Sequence, residues 1–363
     1  MVIAILLPDL RGGGAERVMV DLAREFARLG HTVEFVLMQA TGDFLFEVQR
    51  DFAVVDLVTS RTRRVPGPLA HYLRRRKPSA VIANMWPLTS AAVIGRAISM
   101  WPCRLMVVEH ITLTQQYATW GWLHKLLLSA SISATYRFAD QIAAVSEGSA
   151  TDMAQLARIP SERVAVLHNP IPKKLMPSYE ARATADSLWG SPPGQRILTV
   201  GSLKDQKNHP LLLRAFAAMA RRDARLMLLG QGTNEVSLRV LASDLGIADR
   251  VIFAGFHADP SPFYATADLF ALSSNYEGLP TVLIEALSQG LPVVSTDCPS
   301  GPAEILQGER FGRLVPVGDA PALAWAMDAA LSSPADRDAL IRRAADFAPE
   351  IAARKYLDLL GLP

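Results

Sequence analysis

Glu277 and Glu285 bracket a turn whose residue types could do chemistry. The run Ser274-Asn275-Tyr276-Glu277-Gly278-Leu279-Pro280-Thr281 carries glycine and proline punctuation, and the apolar stretch after it predicts a helix over Thr281–Gln289. Proline suits a first helical turn, and the unpaired N–H groups of a helix start attract an anion. Glu277 precedes that start in the loop, and Glu285 falls in the second turn. A phosphate bound there would have one carboxylate on each side, and carboxylates accept hydrogen bonds from paired hydroxyls. The layout suits a nucleotide-sugar, with diphosphate at the helix end, sugar on one side and ribose on the other. A plainly capped helix with two glutamates explains the same residues without any ligand.

Two further loops offer anion chemistry. Gly201-Ser202-Leu203-Lys204-Asp205-Gln206-Lys207-Asn208-His209 places Lys207 just ahead of a helix. There a point cation and the helix dipole act on one phosphate group; an exposed loop lysine is the ordinary alternative. Leu10-Arg11-Gly12-Gly13-Gly14-Ala15-Glu16-Arg17 lets the backbone approach a ligand ahead of another helix, or is a flexible turn. It lacks the G-x-G-x-x-G spacing, and Glu34 is weakly placed as a ribose-binding acid.

The elements that must position these loops follow one rhythm. Strands are expected at Val2–Leu7, Val33–Met38, Ala80–Ala83, Leu105–Val108, Gln141–Val145 and Val164–Leu167, with helices at Ala15–Leu29, Leu88–Ser99, Trp120–Phe138 and Glu147–Ala157. Several strands are continuously apolar, as in parallel sheets covered on both faces. The pattern lapses between Asn169 and Gln195, where Pro170, Pro172, Pro177, Pro192 and Pro193 read as a linker and an irregular entry. It restarts with strands Ile197–Val200, Leu226–Leu229, Val251–Ala254, Leu269–Leu272 and Pro292–Ser295. Helices at His209–Ala220, Glu235–Leu245 and Thr281–Gln289 alternate with them, and more follow Pro321. Two doubly wound α/β units facing across a cleft are the economical reading. Each motif above follows a strand, where ligands of such sheets sit.

Together the motifs resemble a known family. Glu277-x7-Glu285, preceded by Gly201-Ser202-Leu203-x3-Lys207-Asn208 and by Gly13-Gly14-Ala15-Glu16-Arg17, is similar to the retaining family-4 glycosyltransferases of GT-B fold, over nearly the whole chain. Leu167-His168-Asn169-Pro170-Ile171 adds to the resemblance, as does Ser300-Gly301-Pro302-Ala303-Glu304-Ile305, whose form is that of bacterial hexosamine or galactose transferases of surface glycan assembly. The resemblance implies an acceptor-binding domain over residues 1–175 and a donor-binding domain over 176–346, with a helix at 347–360 packing back on the first. By the same resemblance Glu277 binds donor-sugar hydroxyls and steadies the oxocarbenium-like transition state. Glu285 holds the ribose diol, while N–H groups at Gly278, Leu279 and Thr281 face the diphosphate. Lys207 neutralises the leaving group, Gly13 and Gly14 admit the substrates, and His110 lines the sugar pocket. Relatives carry an arginine where this chain has Ser202, which leaves more of the diphosphate charge to Lys207 or Lys204. Base contacts are expected near Phe256 and His257. No cofactor is implied, and no Asp-x-Asp loop resembles a metal site.

Composition bounds the partners. The 363 residues, half of them hydrophobic, can build two cores. No apolar run is long enough to span a bilayer, no basic leader opens the chain, and Cys103 and Cys298 are too few for a disulfide framework. A cytoplasmic enzyme is expected. The formal net charge of +2 hides an asymmetry: residues 1–175 hold 20 Lys and Arg against 14 Asp and Glu, the rest 17 against 21. Arg61–Lys77 is basic without an acid, and Gln115–Ser131 carries Trp120, Trp122, Leu123, Leu126 and Leu127. These point to peripheral association with an anionic inner-membrane surface and a lipid-linked saccharide acceptor, although core packing is favoured for the leucines. The expected donor is a nucleotide-diphosphate sugar with uracil as its base. A nucleotide-sugar 2-epimerase and a non-catalytic sugar binder are the alternatives; a nucleic-acid binder leaves the acidic second half unexplained.

Overall fold

The computed structural model describes residues 1–172, 176–190 and 194–363. It divides into two compact units, Met1–Pro172 with Ala348–Pro363, and Lys173–Phe347. The linker residues Leu175, Pro192 and Pro193, with the expected boundary at 175/176, lie outside or beside the described residues.

The first unit is built on β1 (Val2–Leu7), α1 (Gly14–Arg28), β2 (Thr32–Leu37), α2 (Leu45–Asp51), β3 (Ala53–Asp56), α3 (Pro66–Arg76), β4 (Ala80–Asn84) and α4 (Leu88–Ser99). It continues with β5 (Arg104–Glu109), α5 (Leu113–Gln116), α6 (Trp122–Thr135), β6 (Gln141–Ala144), α7 (Glu147–Ala157) and β7 (Val164–Val166). The sheet is parallel throughout in the order β3-β2-β1-β4-β5-β6-β7. Alternate strand residues feed two cores. Ala4, Leu6, Val81, Ala83, Leu105 and Val107 pack under α3, α4, α6 and α7, while Ile3, Ile5, Leu7, Ile82, Met106 and Val108 pack under α1. Both faces are therefore apolar, which is why these strands read as unbroken runs. The C-terminal helix Pro349–Leu360 joins the second core through Ala352, Ala353, Tyr356, Leu357 and Leu360, with Tyr356 edge-on to Phe26 at 6.2 Å.

The second unit repeats the plan with α8 (Tyr179–Leu188), β8 (Arg196–Val200), α9 (His209–Ala218), β9 (Arg225–Leu229), α10 (Glu235–Asp244), β10 (Val251–Gly255) and α11 (Ser261–Thr266). Then come β11 (Leu269–Leu272), α12 (Thr281–Ser288), β12 (Val293–Thr296), α13 (Pro302–Leu306), β13 (Arg313–Val315), α14 (Ala320–Ser332) and α15 (Arg337–Ala345). Its parallel sheet runs β10-β9-β8-β11-β12-β13. Helix α8 corrects the expectation of an irregular segment between Asn169 and Gln195. Only Ala185 of its ten residues is buried, so no apolar stripe marks it, and the Ser178 hydroxyl caps it by accepting from Ala181 N.

Candidate active site

Strand order reverses between β8 and β11 in the second unit, and between β1 and β4 in the first. Ligands of doubly wound sheets bind outside the carboxyl ends of the strands at such a point. In the second unit the loops after β8 and β11 are the ones that carry Lys207 and Glu277.

These two loops are stitched together. Asn208 adopts a left-handed conformation (φ 46°) that asparagine tolerates, and its Oδ1 caps α9 by accepting from Leu211 N. Its Nδ2 donates to Asn275 Oδ1 at 2.8 Å, Asn275 N donates to Gln206 O at 2.8 Å, and Ser273 Oγ donates to Lys207 O at 2.8 Å. Held in this way, Lys207 Nζ donates to Glu277 Oε1 at 2.7 Å. Ser274 Oγ donates to the same oxygen at 2.6 Å, and Gln206 Nε2 reaches Oε2 at 3.3 Å. The carboxylate is 7% and the lysine side chain 14% exposed; charges so withdrawn from water persist only when paired and hydrogen-bonded. The lysine stem lies over Gly201 (φ +154°), where a Cβ would come within 3.1 Å of Lys207 Cε.

Helix α12 starts after this loop with Pro280 at its N-cap and no side chain capping it. Gly278, Leu279 and Pro280 are buried, and the turn is fixed from behind by Ser300 Oγ, which donates to Gly278 O at 3.1 Å. Gly301 (φ +98°) packs so closely that a Cβ would lie 2.5 Å from Pro280 Cδ. Glu285 stands one turn beyond Thr281 on the same helix face. It lies against the buried Tyr264 of α11, whose hydroxyl is raised well above its ordinary value by burial and then by Glu285. Ser202 and the exposed Lys204 share the Lys207 loop. His209 is buried and lowered to about 4 by burial, then by Lys207. Burial pushes the Cys298 thiol up to about 12 and that of Cys103 up to about 11, which makes both poor nucleophiles.

In the first unit the corresponding loops hold Gly13, Gly14 and His110. Gly13 caps α1 in an extended conformation, and a Cβ there would collide with the Glu16 carboxylate. Glu16 thus covers the start of α1 itself, and burial raises its pKa. At Gly14 a Cβ would meet nothing within 4 Å, so that side is open. His110 follows β5, and its Nε2 lies 3.0 Å from Asn84 Oδ1 at the end of β4. Because Asn84 Nδ2 donates to the carbonyls of Leu6 and Ile82, Oδ1 is the acceptor and His110 carries its proton on Nε2. Burial lowers His110 to about 4 despite Asn169 beside it, so the imidazole is neutral at pH 7. Glu109, next in the chain, is buried. Burial lifts it to about 7 although Tyr136 Oη (2.7 Å), Trp86 N (3.0 Å) and Thr89 Oγ1 (3.1 Å) all donate to it.

With the geometry in hand, comparison with known proteins decides the family. Residues 12–174 match the family described as Glycosyltransferase Family 4, and residues 190–347 match Glycosyl transferases group 1. The chain belongs to these glycosyltransferases. A Campylobacter jejuni N-acetylgalactosamine-N,N'-diacetylbacillosaminyl-diphospho-undecaprenol 4-alpha-N-acetylgalactosaminyltransferase is 33% identical over 216 residues, 59% of this chain. The alignment spans 56% of that relative, little more than half its length. A second Campylobacter jejuni protein, a GalNAc-alpha-(1->4)-GalNAc-alpha-(1->3)-diNAcBac-PP-undecaprenol alpha-1,4-N-acetyl-D-galactosaminyltransferase, is 24% identical over 99% of this chain and 98% of its own. The structure of Anabaena HepE in complex with UDP superposes with a TM-score of 0.85 at 21% identity, covering 99% of this chain and 100% of that one. That likeness shows the fold, which is GT-B.

Sequence reasoning missed several residues that shape this candidate site. Ser274 and Gln206 stood inside the motifs but carried no role; their hydroxyl and amide hold Glu277. Asn84 carries no motif, and only the pairing of β4 with β5 brings it to His110, whereas Glu109 stands next to His110 in the chain and carried no role. Elsewhere the structure agrees with the weak placement of Glu34 and corrects two other expectations. Glu34 is an internal partner: although burial pushes its pKa upward, Arg76 and the Tyr72 hydroxyl hold it below the ordinary carboxylate value. Arg76 is thereby withdrawn from the basic stretch. Leu123, Leu126 and Leu127, favoured for the core, are exposed; α6 packs through Leu128 and Ile132 instead. Among the described residues no group of three or more His, Cys, Asp or Glu is placed to hold a metal ion.

Proposed function

We propose that the glycosyltransferase moves a hexose or N-acetylhexosamine from a UDP-linked donor to a lipid-linked saccharide, with retention at the anomeric carbon and without a metal ion. The observation that carries this reading is the Lys207–Glu277 pair beside the uncapped start of α12. An incoming diphosphate takes N–H groups at Leu279 and Thr281 and draws Lys207 off Glu277. The freed carboxylate, still held by Ser274 and Gln206, then turns its vacated acceptor sites to the sugar hydroxyls. Glu285, a turn further on, accepts the ribose diol, and Ser202 adds one neutral hydrogen bond. Lysine and helix dipole together balance the charge that grows on the departing nucleotide. In the first unit His110 is neutral with Nδ1 as an acceptor, and Gly14 leaves backbone room at the start of α1. The acceptor hydroxyl gives its proton to the leaving phosphate, so both lie on one face of the sugar.

The acceptor class rests on the first unit's surface as well as on its relatives, whose names include undecaprenol-diphosphate saccharides. Between Asp56 and Asp140 the only acid is Glu109, and it is buried. That span includes α3, α4 and α6, which cover one side of the sheet. It exposes Arg64, Arg74, Arg75 and Lys125 alongside Ile94, Ile98, Trp122, Leu123, Leu126 and Leu127. Apolar side chains among cations, with no exposed carboxylate, suit an anionic bilayer surface. No helix among the described residues is long and apolar enough to cross one.

Thermal-shift titration with a panel of nucleoside diphosphates tests the donor reading, because a selective ligand raises apparent stability by mass action. UDP must raise the melting temperature of the wild type and fail to do so after Lys207→Ala. Flotation with vesicles of phosphatidylglycerol and phosphatidylethanolamine tests the surface, with Arg64, Arg74 and Arg75 neutralised together and Arg76 left to Glu34.

A further inference from the structure

Beside His110 the first unit carries an aromatic stack that the donor chemistry leaves unused. Trp86 follows β4 and is held at both nitrogens: its N donates to Glu109 Oε2 and its Nε1 to Ser131 Oγ of α6, each at 3.0 Å. Tyr117 stands edge-on to it at 5.4 Å, and Trp120 at 6.1 Å. Tyr117 and Trp120 lie over one another at 4.1 Å. Exposure grows outward, from Trp86 and Tyr117, partly buried against the core, to Trp120 at 38%. The base of the stack shares the Asn84–Glu109 framework that holds His110, so it lies at the carboxyl ends of β4 and β5, where this fold binds ligands.

We propose that Tyr117 and Trp120, backed by Trp86, form a stacking platform for a pyranose ring of the acceptor saccharide. A pyranose has one face of C–H groups, weakly positive, and an aromatic face carries negative charge that attracts them. Hydroxyls project from the ring edge and require polar partners. The exposed amides of Gln115 and Gln116 at the end of α5 and the hydroxyl of Thr119 in the turn after it are there to supply them. Binding sites with aromatic walls and a few polar groups are the common form for such ligands. Trp122, Leu123, Leu126 and Leu127 on α6 differ in kind, being exposed apolar residues on a helix. The platform ends where that face begins, which suits a saccharide whose lipid continues onto α6. The inference rests on the acceptor reading above.

Saturation-transfer difference NMR on the full chain with methyl α-galactoside, methyl α-glucoside and methyl α-N-acetylgalactosaminide tests it. The ring C–H protons of at least one glycoside receive saturation. Trp120→Ala weakens that affinity about tenfold, the scale of one aromatic stacking contact, while Trp120→Phe retains most of it. An unchanged melting temperature shows that the alanine variant is folded. Transfer to none of the three glycosides overturns the proposal, as does an unaltered response in Trp120→Ala. Loss of vesicle flotation in that variant without loss of glycoside binding also overturns it and assigns Trp120 to lipid. If UDP fails to bind while the glycoside response persists and follows Trp120, the donor reading falls and the platform stands.

Discussion

Glu109, buried, and His110, half-buried, are neighbours in sequence, and they titrate in opposite senses. Glu109 moves from an ordinary 4.5 to about 7. At ~1.4 kcal/mol per pH unit, ionising it in the folded protein costs about 3 kcal/mol more than in the unfolded chain. The folded state keeps a proton that the unfolded chain releases above its ordinary value. This contribution is full at acid pH and is lost as pH rises through 7. His110 moves from 6.5 to about 4, so the folded state refuses a proton that the unfolded chain accepts. Its contribution is full above 6.5 and is lost as pH falls toward 4, again by about 3 kcal/mol. Over the shared window the two slopes nearly cancel. Glu109→Gln removes one of them without changing shape. In the neutral acid Oε2 accepts from Trp86 N while a proton on Oε1 donates to Tyr136 or Thr89, and glutamine reproduces that pattern. The difference between variant and wild type therefore isolates Glu109. From pH 5 to pH 8 the variant gains about 3 kcal/mol relative to wild type, or ~6–12 °C in the melting temperature of a unit this size. Urea unfolding followed by tryptophan fluorescence at several pH values measures it. Parallel stability curves for the two proteins would refute the assignment of a neutral, proton-holding Glu109.

Other outcomes follow from the same contacts. Glu277→Ala and Lys207→Ala each lower turnover by roughly 10² or more, the scale for one lost transition-state contact, measured as nucleotide release from UDP-sugar in the presence of acceptor. Lys207→Met leaves a buried carboxylate without its cation, and unfolding of the second unit becomes easier by about 3 kcal/mol; Glu277→Gln added to it restores part of the loss in a double-mutant cycle. Arg76→Gln leaves the buried Glu34 without its cation and lowers the melting temperature of the first unit, whereas Arg75→Gln leaves it unchanged. Exchanging Leu126 and Leu127 for serine reduces vesicle flotation, and raising salt does the same through the exposed arginines.

Much of this was written in local pattern. The unbroken apolar runs of β1 and β4, the Gly30 stop after α1 and the punctuation around Pro280 each depend on near neighbours, so their elements are legible. The elements that were not legible lack an inward stripe: α8 buries Ala185 alone, and α2 buries only Val48. Edge strand β3 is four residues long and half exposed. The site divides in the same way. Glu277, Lys207 and Glu285 announce themselves by type and spacing. The hydrogen bond between Lys207 and Glu277 joins residues 70 apart in the chain, and it exists because β8 and β11 pair at the sheet's reversal. Glu34 shows the converse, a polar residue inside a strand whose partners, Tyr72 and Arg76, come from a helix far along the chain.

The proposed donor site seats a pyrophosphate group at the first turn of α12. Crystals soaked with UDP test it most directly. The prediction is phosphate oxygens within hydrogen-bonding distance of Leu279 N and Thr281 N, with Lys207 Nζ moved from Glu277 onto the nucleotide. UDP bound elsewhere, with the Lys207–Glu277 bond intact, would contradict it.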